Sequence, residues 1–323
     1  MEVSTTQLLE ARRLVEAEQL ALEGTRRYLR AAQAENTTRA YRTDWELFEG
    51  HCRAHGHTAL PANQEVLAVY ISGLAIAGRK VSTIERRLAG ISVAHQAAGQ
   101  PSPTTSILVR KTMAGIRRTH GSRKRQADPL MPKDLVAILR SLPDSKSGKR
   151  DRALLLLGFT AALRRSEIAS LQVGDVVEVE EGLRVTVRES KTDPSRIGRE
   201  VGIPRRRRLD RCPVEAVRQW TSAVYLDDGP LFRSISRYGR VGDALSSGAV
   251  GEIIKRVAAR AGITEHDFSG HSLRAGFVTA AAAAGAPERS IMAQTGHRSV
   301  QTVRAYIRSG SLFLENAADY IKL

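Results

Sequence analysis

Five short segments of the chain hold side chains whose types and spacing suit chemistry on a charged oxyanion. They are Leu163-Arg164-Arg165-Ser166-Glu167, Ser190-Lys191-Thr192, His271-Ser272-Leu273-Arg274, Thr295-Gly296-His297 and Ala305-Tyr306-Ile307. A guanidinium grips phosphate oxygens in pairs through its planar fork. An imidazole moves protons near neutrality, and a phenol can become a covalent nucleophile. Each segment alone says little. With eight histidines and frequent arginine, a His-x-x-Arg arises about once by chance, and a tyrosine on a late helix is usually core. Their order carries the information: an Arg at a helix start, a Lys in a hairpin turn, His-x-x-Arg on a helix, then Gly-His, then a Tyr nine residues on.

The composition points to the same class of partner. Fifty basic against thirty-four acidic residues give a net charge of +16, and the pI is near 10.5. Such an excess attracts polyanions at long range, nucleic acid first among them. A membrane surface would want that charge on one long amphipathic helix, whereas arginines are scattered through every segment. A basic surface kept for solubility is the bland alternative. Aromatics are only 5%, which disfavours a single-strand binder that stacks bases. The longest apolar run, Ala153 to Leu163, is broken by Gly158 and Thr160 and is short for a bilayer span, so no membrane is expected as a partner. The N-terminus shows no basic patch followed by an apolar stretch, and Cys52 and Cys212 read as free thiols in a reducing cytoplasm. No metal site is expected, since no acidic cluster stands at ligand spacing. A phosphate loop of the G-x-x-x-x-G-K-S/T type is also missing, and no cofactor is expected.

These residues need a scaffold, and its pattern is mainly α-helical. Residues 1–35 read as a helical extension, with Leu8, Leu9, Val15 and Leu22 at roughly helical spacing. Residues 36–121 hold four helical patterns: Thr38 to Phe48, Gln64 to Ala77, a third opening at Ser82 and ending near Gly99, and Thr105 to Thr119. Ser82 and Glu85 are spaced as a capping box. No strand pattern appears in this half. Residues 122–132 are a basic linker, suited to a strap along DNA; a nuclear-localisation signal is the alternative. Residues 133–310 are predicted to carry helices at Lys133–Ser141, Arg150–Ala162, a short one from Arg165, Pro213–Val224, Ser247–Ala261, Ser272–Ala284, Glu288–Thr295 and Val300–Ile307. Two period-two strands, Leu183–Glu189 and Arg199–Pro204, form a hairpin whose turn contains Pro194 and Gly198. Residues 311–323 form a short helix with an apolar stripe of Leu312, Phe313, Ala317, Tyr320 and Ile321.

Taken together, the five segments and this layout resemble the phage-integrase family of tyrosine site-specific recombinases, and Cre-like members in particular. The family's R-x-x-E matches Arg164 and Glu167, its hairpin lysine Lys191, its H-x-x-R His271 and Arg274, its His-or-Trp position His297, and its tyrosine Tyr306. The likeness extends over the helical first half but does not clearly cover residues 1–35. It implies a SAM-like core-binding domain over 36–121 and an α+β catalytic domain over 133–310. It also implies that the tail 311–323 docks in trans to link a homotetramer on two DNA sites; packing on its own domain is the alternative. The activity implied is cleavage and rejoining of duplex DNA through a 3′-phosphotyrosine, with strand exchange through a Holliday junction, and without metal or ATP.

On that resemblance each residue takes a role. Arg164 and Arg274 clamp the phosphate, His271 assists proton movement, Lys191 protonates the leaving 5′ oxygen, and His297 donates to a nonbridging oxygen. Tyr306 attacks. Glu167 orients the arginines. Arg165 competes with Arg164, but the spacing to Glu167 selects Arg164; Tyr320 competes with Tyr306 but lacks the preceding Gly-His. DNA backbone contacts are expected from Arg39, Arg42, Arg86, Arg87, Arg110, Lys111, Arg117, Arg118, Arg123, Lys124, Arg125, Arg205 and Arg206, with a solvated patch as the alternative for Arg205 to Arg208. The implied partner is double-stranded DNA bearing an inverted-repeat site, in the cytoplasm and at the nucleoid of a bacterial, phage or mobile-element context. A type IB topoisomerase and a catalytically silent DNA-binding regulator are the competing readings.

Overall fold

The computed structural model describes residues 19–25, 28, 35–121, 128–188, 198–297, 299–301 and 303–304. The chain divides into two compact units, Met1–Arg125 and Gln126–Leu323.

Within the first unit, α1 (Glu35–Ala54), α2 (Gln64–Ile76), α3 (Val81–Ala97) and α4 (Ile107–His120) enclose one apolar core. Along α1, Trp45, Phe48 and Cys52 fall at helical spacing and face Leu67, Ile71, Ile84 and Ile91. Side-chain caps define two helix starts: Asn63 accepts from the Glu65 N–H at 2.9 Å, and Ser106 accepts from the Val109 N–H at 3.2 Å. The third helix departs from expectation. It begins at Val81, behind Lys80, which makes no side-chain cap, so Ser82 lies inside the helix and the Ser82–Glu85 capping box does not form. Glu85 instead receives Arg117 Nε at 2.8 Å, tying α3 to α4.

A polar network crosses this core. Asp44 is fully buried and accepts Arg86 Nη1 at 2.6 Å, while Arg87 donates to the Tyr70 hydroxyl at 2.7 Å and lies 3.8 Å from Asp44. A buried carboxylate needs such partners, because desolvation disfavours its charged form. Arg87 is also one of the residues expected to contact DNA. Its side chain is 12% exposed and serves the fold, so reaching a phosphate would mean abandoning Tyr70.

In the second unit the helices are α5 (Pro132–Ser141), α6 (Lys146–Thr160), α7 (Arg165–Ser170), α8 (Pro213–Val224), α9 (Ser247–Arg260), α10 (Ser272–Ala283) and α11 (Glu288–Thr295). Strands β1 (Val176–Val179), β2 (Gly182–Val187) and β3 (Arg199–Pro204) form an antiparallel sheet in the order β1-β2-β3, and β4 (Arg233–Ile235) pairs with β5 (Val241–Ala244). The predicted β2–β3 hairpin is present, with Val185 opposite Val201. Three strands escaped the sequence pattern. β1 buries no residue fully and β5 is exposed throughout, so neither carries the alternation that a half-buried strand imposes.

Buried α6 is the axis of this unit. Residues Ala153 to Leu157 are at most 3% exposed, which explains why the run looked continuously apolar rather than amphipathic. The helix starts earlier than its apolar run because Ser145 caps it, accepting from the Gly148 N–H at 3.2 Å. Helix α10 packs so closely on the segment before α5 that a Cβ at Gly276 would strike the Leu130 carbonyl. That contact and the 2.9 Å bond from the Leu130 N–H to the Ser272 carbonyl fix the position of α10, and thus of Arg274.

Candidate active site

Arg164 stands at the N-cap of α7 and Glu167 at its third position. Their reciprocal geometry builds the first half of the site. Glu167 accepts the Arg164 backbone N–H at 3.0 Å on Oε2 and the Arg164 guanidinium at 2.6 Å on Oε1. A third bond to the same carboxylate comes from across the unit: Arg199, on the first residue of β3, donates Nη2 to Oε2 at 3.1 Å. Arg199 Nη1 continues to the carbonyl of Gln294 at 2.9 Å. One buried carboxylate therefore holds two arginines. Burial pushes the Glu167 carboxyl up, but the Arg164 backbone bond, the charge of Arg199 and the Arg164 side chain outweigh it and hold the group below the usual range.

The second half comes from α10 and the end of α11. Arg274, buried in the first turn of α10, donates Nη1 to the Ala162 carbonyl at 2.8 Å and sets Nη2 3.0 Å from His297 Nε2. His297 Nδ1 lies 2.7 Å from the Thr295 hydroxyl. The chain reverses between them at Gly296, whose φ of +66° favours glycine, and a Cβ there would stand 2.7 Å from Arg199 Nε. So Gly296 is required by its backbone and by the arginine packed on it.

Burial, followed by the positive charge of Arg274, Arg164 and Arg199, lowers the His297 pKa to about 4, with Glu167 opposing. An arginine can only donate, so Nε2 accepts from Arg274 in the neutral ring. The expected bond from His297 to a phosphate oxygen needs a proton on Nε2, whose lone pair here faces Arg274, so that role requires the ring to take up a second proton as phosphate binds. The depressed pKa also has a stability consequence. An unfolded histidine titrates near 6.5, so as pH falls the unfolded chain takes the proton first, and the fold's preference for the neutral ring is lost between pH 6.5 and about 4. Urea melts at pH 7 and pH 4.5 are expected to lose ~1–2 kcal/mol more in the wild type than in His297→Gln, with the screening at a half-buried ring allowed for.

Of the remaining expected residues, His271 occupies the N-cap position of α10 with φ −92° and ψ −13°, exposed, one turn before buried Arg274. Arg165 is exposed and packs its stem against Gly270, away from the Glu167 carboxylate that Arg164 holds. Lys191, Tyr306, the linker residues Arg123, Lys124 and Arg125, and the tail 311–323 lie outside the described residues. Leading toward Tyr306, residues 300–301 and 303–304 are helical, Val303 is buried with Val278 and Ile291, and Arg304 pairs with Glu288 at 2.9 Å. Arg39, Arg42, Arg86, Arg110, Lys111, Arg117, Arg118, Arg205 and Arg206 are all exposed; Arg86, Arg117 and Arg205 pair with Asp44, Glu85 and Glu178.

Two residues of the cluster were not among those expected: Arg199 and Thr295. Nothing local marks Arg199 among fifty basic residues, since its partners lie 32 and 95 positions away. Thr295 adjoins the Gly-His pair but looked like a helix-ending residue. As for metals, His51 and His55 face each other on α1 with ring centroids 4.3 Å apart, yet among the described residues no group of three potential ligands could hold an ion. No described helix is long and apolar enough to cross a membrane.

The model of the phage integrase family matches residues 129–311. An integrase/recombinase xerD homolog of Selenomonas ruminantium is 37% identical over 317 residues, 97% of this chain and 92% of that protein. The recombinase cre of Escherichia phage P1 is 26% identical over 300 residues, covering 87% and 86%. Among solved structures, a lambda integrase tetramer bound to a Holliday junction superposes with a TM-score of 0.60 at 16% identity, over 85% of this chain and 72% of that one, a likeness of fold.

Proposed function

The chain belongs to the phage integrase family, and from that premise we propose that it is a site-specific DNA recombinase that breaks and rejoins duplex DNA through a tyrosyl intermediate. The observation that carries the reading is the convergence of Arg164, Arg274 and His297 around one buried carboxylate-braced cluster. In-line displacement at a phosphodiester builds negative charge on the nonbridging and leaving oxygens, and preorganised cationic donors stabilise that charge. Arg164 and Arg274 supply the fork, and Glu167 with Arg199 keeps it rigid before DNA arrives.

Tyr306 Oη attacks phosphorus, its proton passing to a base for which His271 is suited, and a 3′-phosphotyrosine forms as the 5′ oxygen leaves with a proton from Lys191. A 5′ hydroxyl of the partner strand then attacks the phosphotyrosine, restoring a phosphodiester and returning the phenol. One phosphoester is made for each one broken, so neither ATP nor a metal is needed to drive the exchange. Two such exchanges between inverted-repeat sites pass through a Holliday junction on a homotetramer, with residues 311–323 linking neighbouring subunits. The domains serve that scheme as 1–35 extension, 36–121 core-binding, 122–132 linker, 133–310 catalytic and 311–323 tail. Its place of work is the cytoplasm, on nucleoid, phage or mobile-element DNA.

The test is covalent trapping on a library of nicked duplexes, in which the freed strand diffuses away after cleavage. Protein-linked DNA is expected, and sequencing it is expected to return one inverted-repeat site. No adduct on any duplex would sink the reading. Adducts without sequence preference, together with relaxation of plasmids lacking a specific site, would favour a topoisomerase.

A further inference from the structure

We propose that Thr295 is the positioning residue that sets the tautomer and the aim of His297. Thr295 is fully buried, and its hydroxyl lies 2.7 Å from the Ile291 carbonyl and 2.7 Å from His297 Nδ1. Among the described residues the other group near that oxygen is the Met292 carbonyl, at 3.4 Å, and it too is an acceptor. A carbonyl cannot donate, so the single hydroxyl proton goes to the helix and the oxygen turns a lone pair to Nδ1. Nδ1 therefore carries the ring proton. The opposite end of the ring demands the same answer independently: Arg274 Nη2, 3.0 Å from Nε2, can only donate, so Nε2 holds the lone pair.

The other neutral tautomer is wrong at both ends at once. It would set two lone pairs against each other at Thr295 and two N–H groups against each other at Arg274. Besides choosing the proton's position, Thr295 anchors the ring so that Nε2 points at the Arg274 guanidinium, the side on which the clamp would hold phosphate. A histidine ring is commonly oriented by the hydrogen bond of its other nitrogen. Here that bond comes from the residue two positions earlier, across the left-handed turn at Gly296. The ring feels the positive charge of Arg274, Arg164 and Arg199, so an N–H turned toward them is disfavoured. The link to catalysis rests on the recombinase reading; the tautomer assignment does not.

The experiment uses the full chain, labelled with ring-¹⁵N histidine, and three variants. T295V removes the hydroxyl at nearly constant volume, T295A removes it without crowding should valine not pack, and T295S keeps it. His297 resonances are assigned by their loss in His297→Gln. At pH 7 the wild type and T295S are expected to show the Nδ1–H tautomer, while T295V or T295A, in which only Arg274 still favours it, shows a mixture of the two neutral tautomers. On the nicked duplex, adduct formation is expected to slow ~10–100-fold in the hydroxyl-free variants and to recover in T295S, with DNA affinity unchanged, as is usual for a group that orients another. An Nδ1–H signal retained at wild-type cleavage rate in T295V or T295A would overturn the assignment, as would an Nε2–H ring in the wild type. If the wild type formed no adduct at all, the recombinase reading would fail while the NMR result still judged Thr295.

Discussion

Replacing Tyr306 by Phe is expected to abolish covalent protein–DNA adducts, a loss of at least ~10⁴-fold in cleavage, while duplex affinity changes by less than about twofold. The phenol oxygen is the atom that bonds to phosphorus, so its removal deletes the reaction, whereas binding rests on arginine contacts to many phosphates. Denaturing gels of protein incubated with nicked duplex measure the first effect, and filter binding across a salt series the second. Affinity in both proteins is expected to fall steeply with salt, because each phosphate contact releases counterions. Tyr320→Phe is the matched control and should keep its adducts. Adducts surviving in the Tyr306 variant but not in the Tyr320 variant would move the nucleophile into the tail.

Glu167→Gln is expected to damage both stability and rate. The carboxylate is 2% exposed and compensates Arg164 and Arg199 together, through bonds of 2.6 and 3.1 Å. A glutamine carbonyl can accept from one of them, but its amide hydrogens would face the other, and no negative charge would remain between the two guanidiniums. Breaking a buried pair by removing one partner costs ~3–5 kcal/mol. Denaturant melts of the full chain measure that loss. The cleavage rate at saturating DNA is expected to fall ~100-fold, because Arg164 would no longer be held ready and would reorganise on each turnover. A melt and a rate both within twofold of the wild type would show that the carboxylate does not brace the clamp. Arg199→Lys offers a milder form of the same experiment, since an ammonium keeps the charge but loses the fork that spans Glu167 and Gln294.

How much of this was legible beforehand can be judged residue by residue. Arg164 with Glu167, and Gly296 with His297, were visible because their geometry is local: a helix N-cap with its third position, and a helix end with the turn that follows. Helices α8 and α11 matched their expected spans at both ends, whereas α1, expected from Thr38 to Phe48, runs from Glu35 to Ala54. The β2–β3 hairpin was visible through its buried alternation, while β1, β4 and β5 were not, having no buried face to imprint one. Ser82 shows the converse limit. Its spacing to Glu85 fits a capping box, but a partner from α4 took the glutamate and the helix began a residue earlier.

By itself, then, the sequence determined what is local or global in kind: the helical character of both halves, the positive charge that calls for a polyanion, and the identity and order of the groups able to do the chemistry. Only the tertiary structure decided which of many interchangeable arginines matter and in what state. It turned Arg87 inward to Tyr70, brought Arg199 across 32 residues to Glu167, and set Thr295 and Arg274 on opposite ends of the His297 ring. The reason is physical. A guanidinium carries the same charge wherever it stands in the chain, but the field it exerts, and the proton a neighbouring histidine keeps, depend on distances and burial that arise only when remote segments pack.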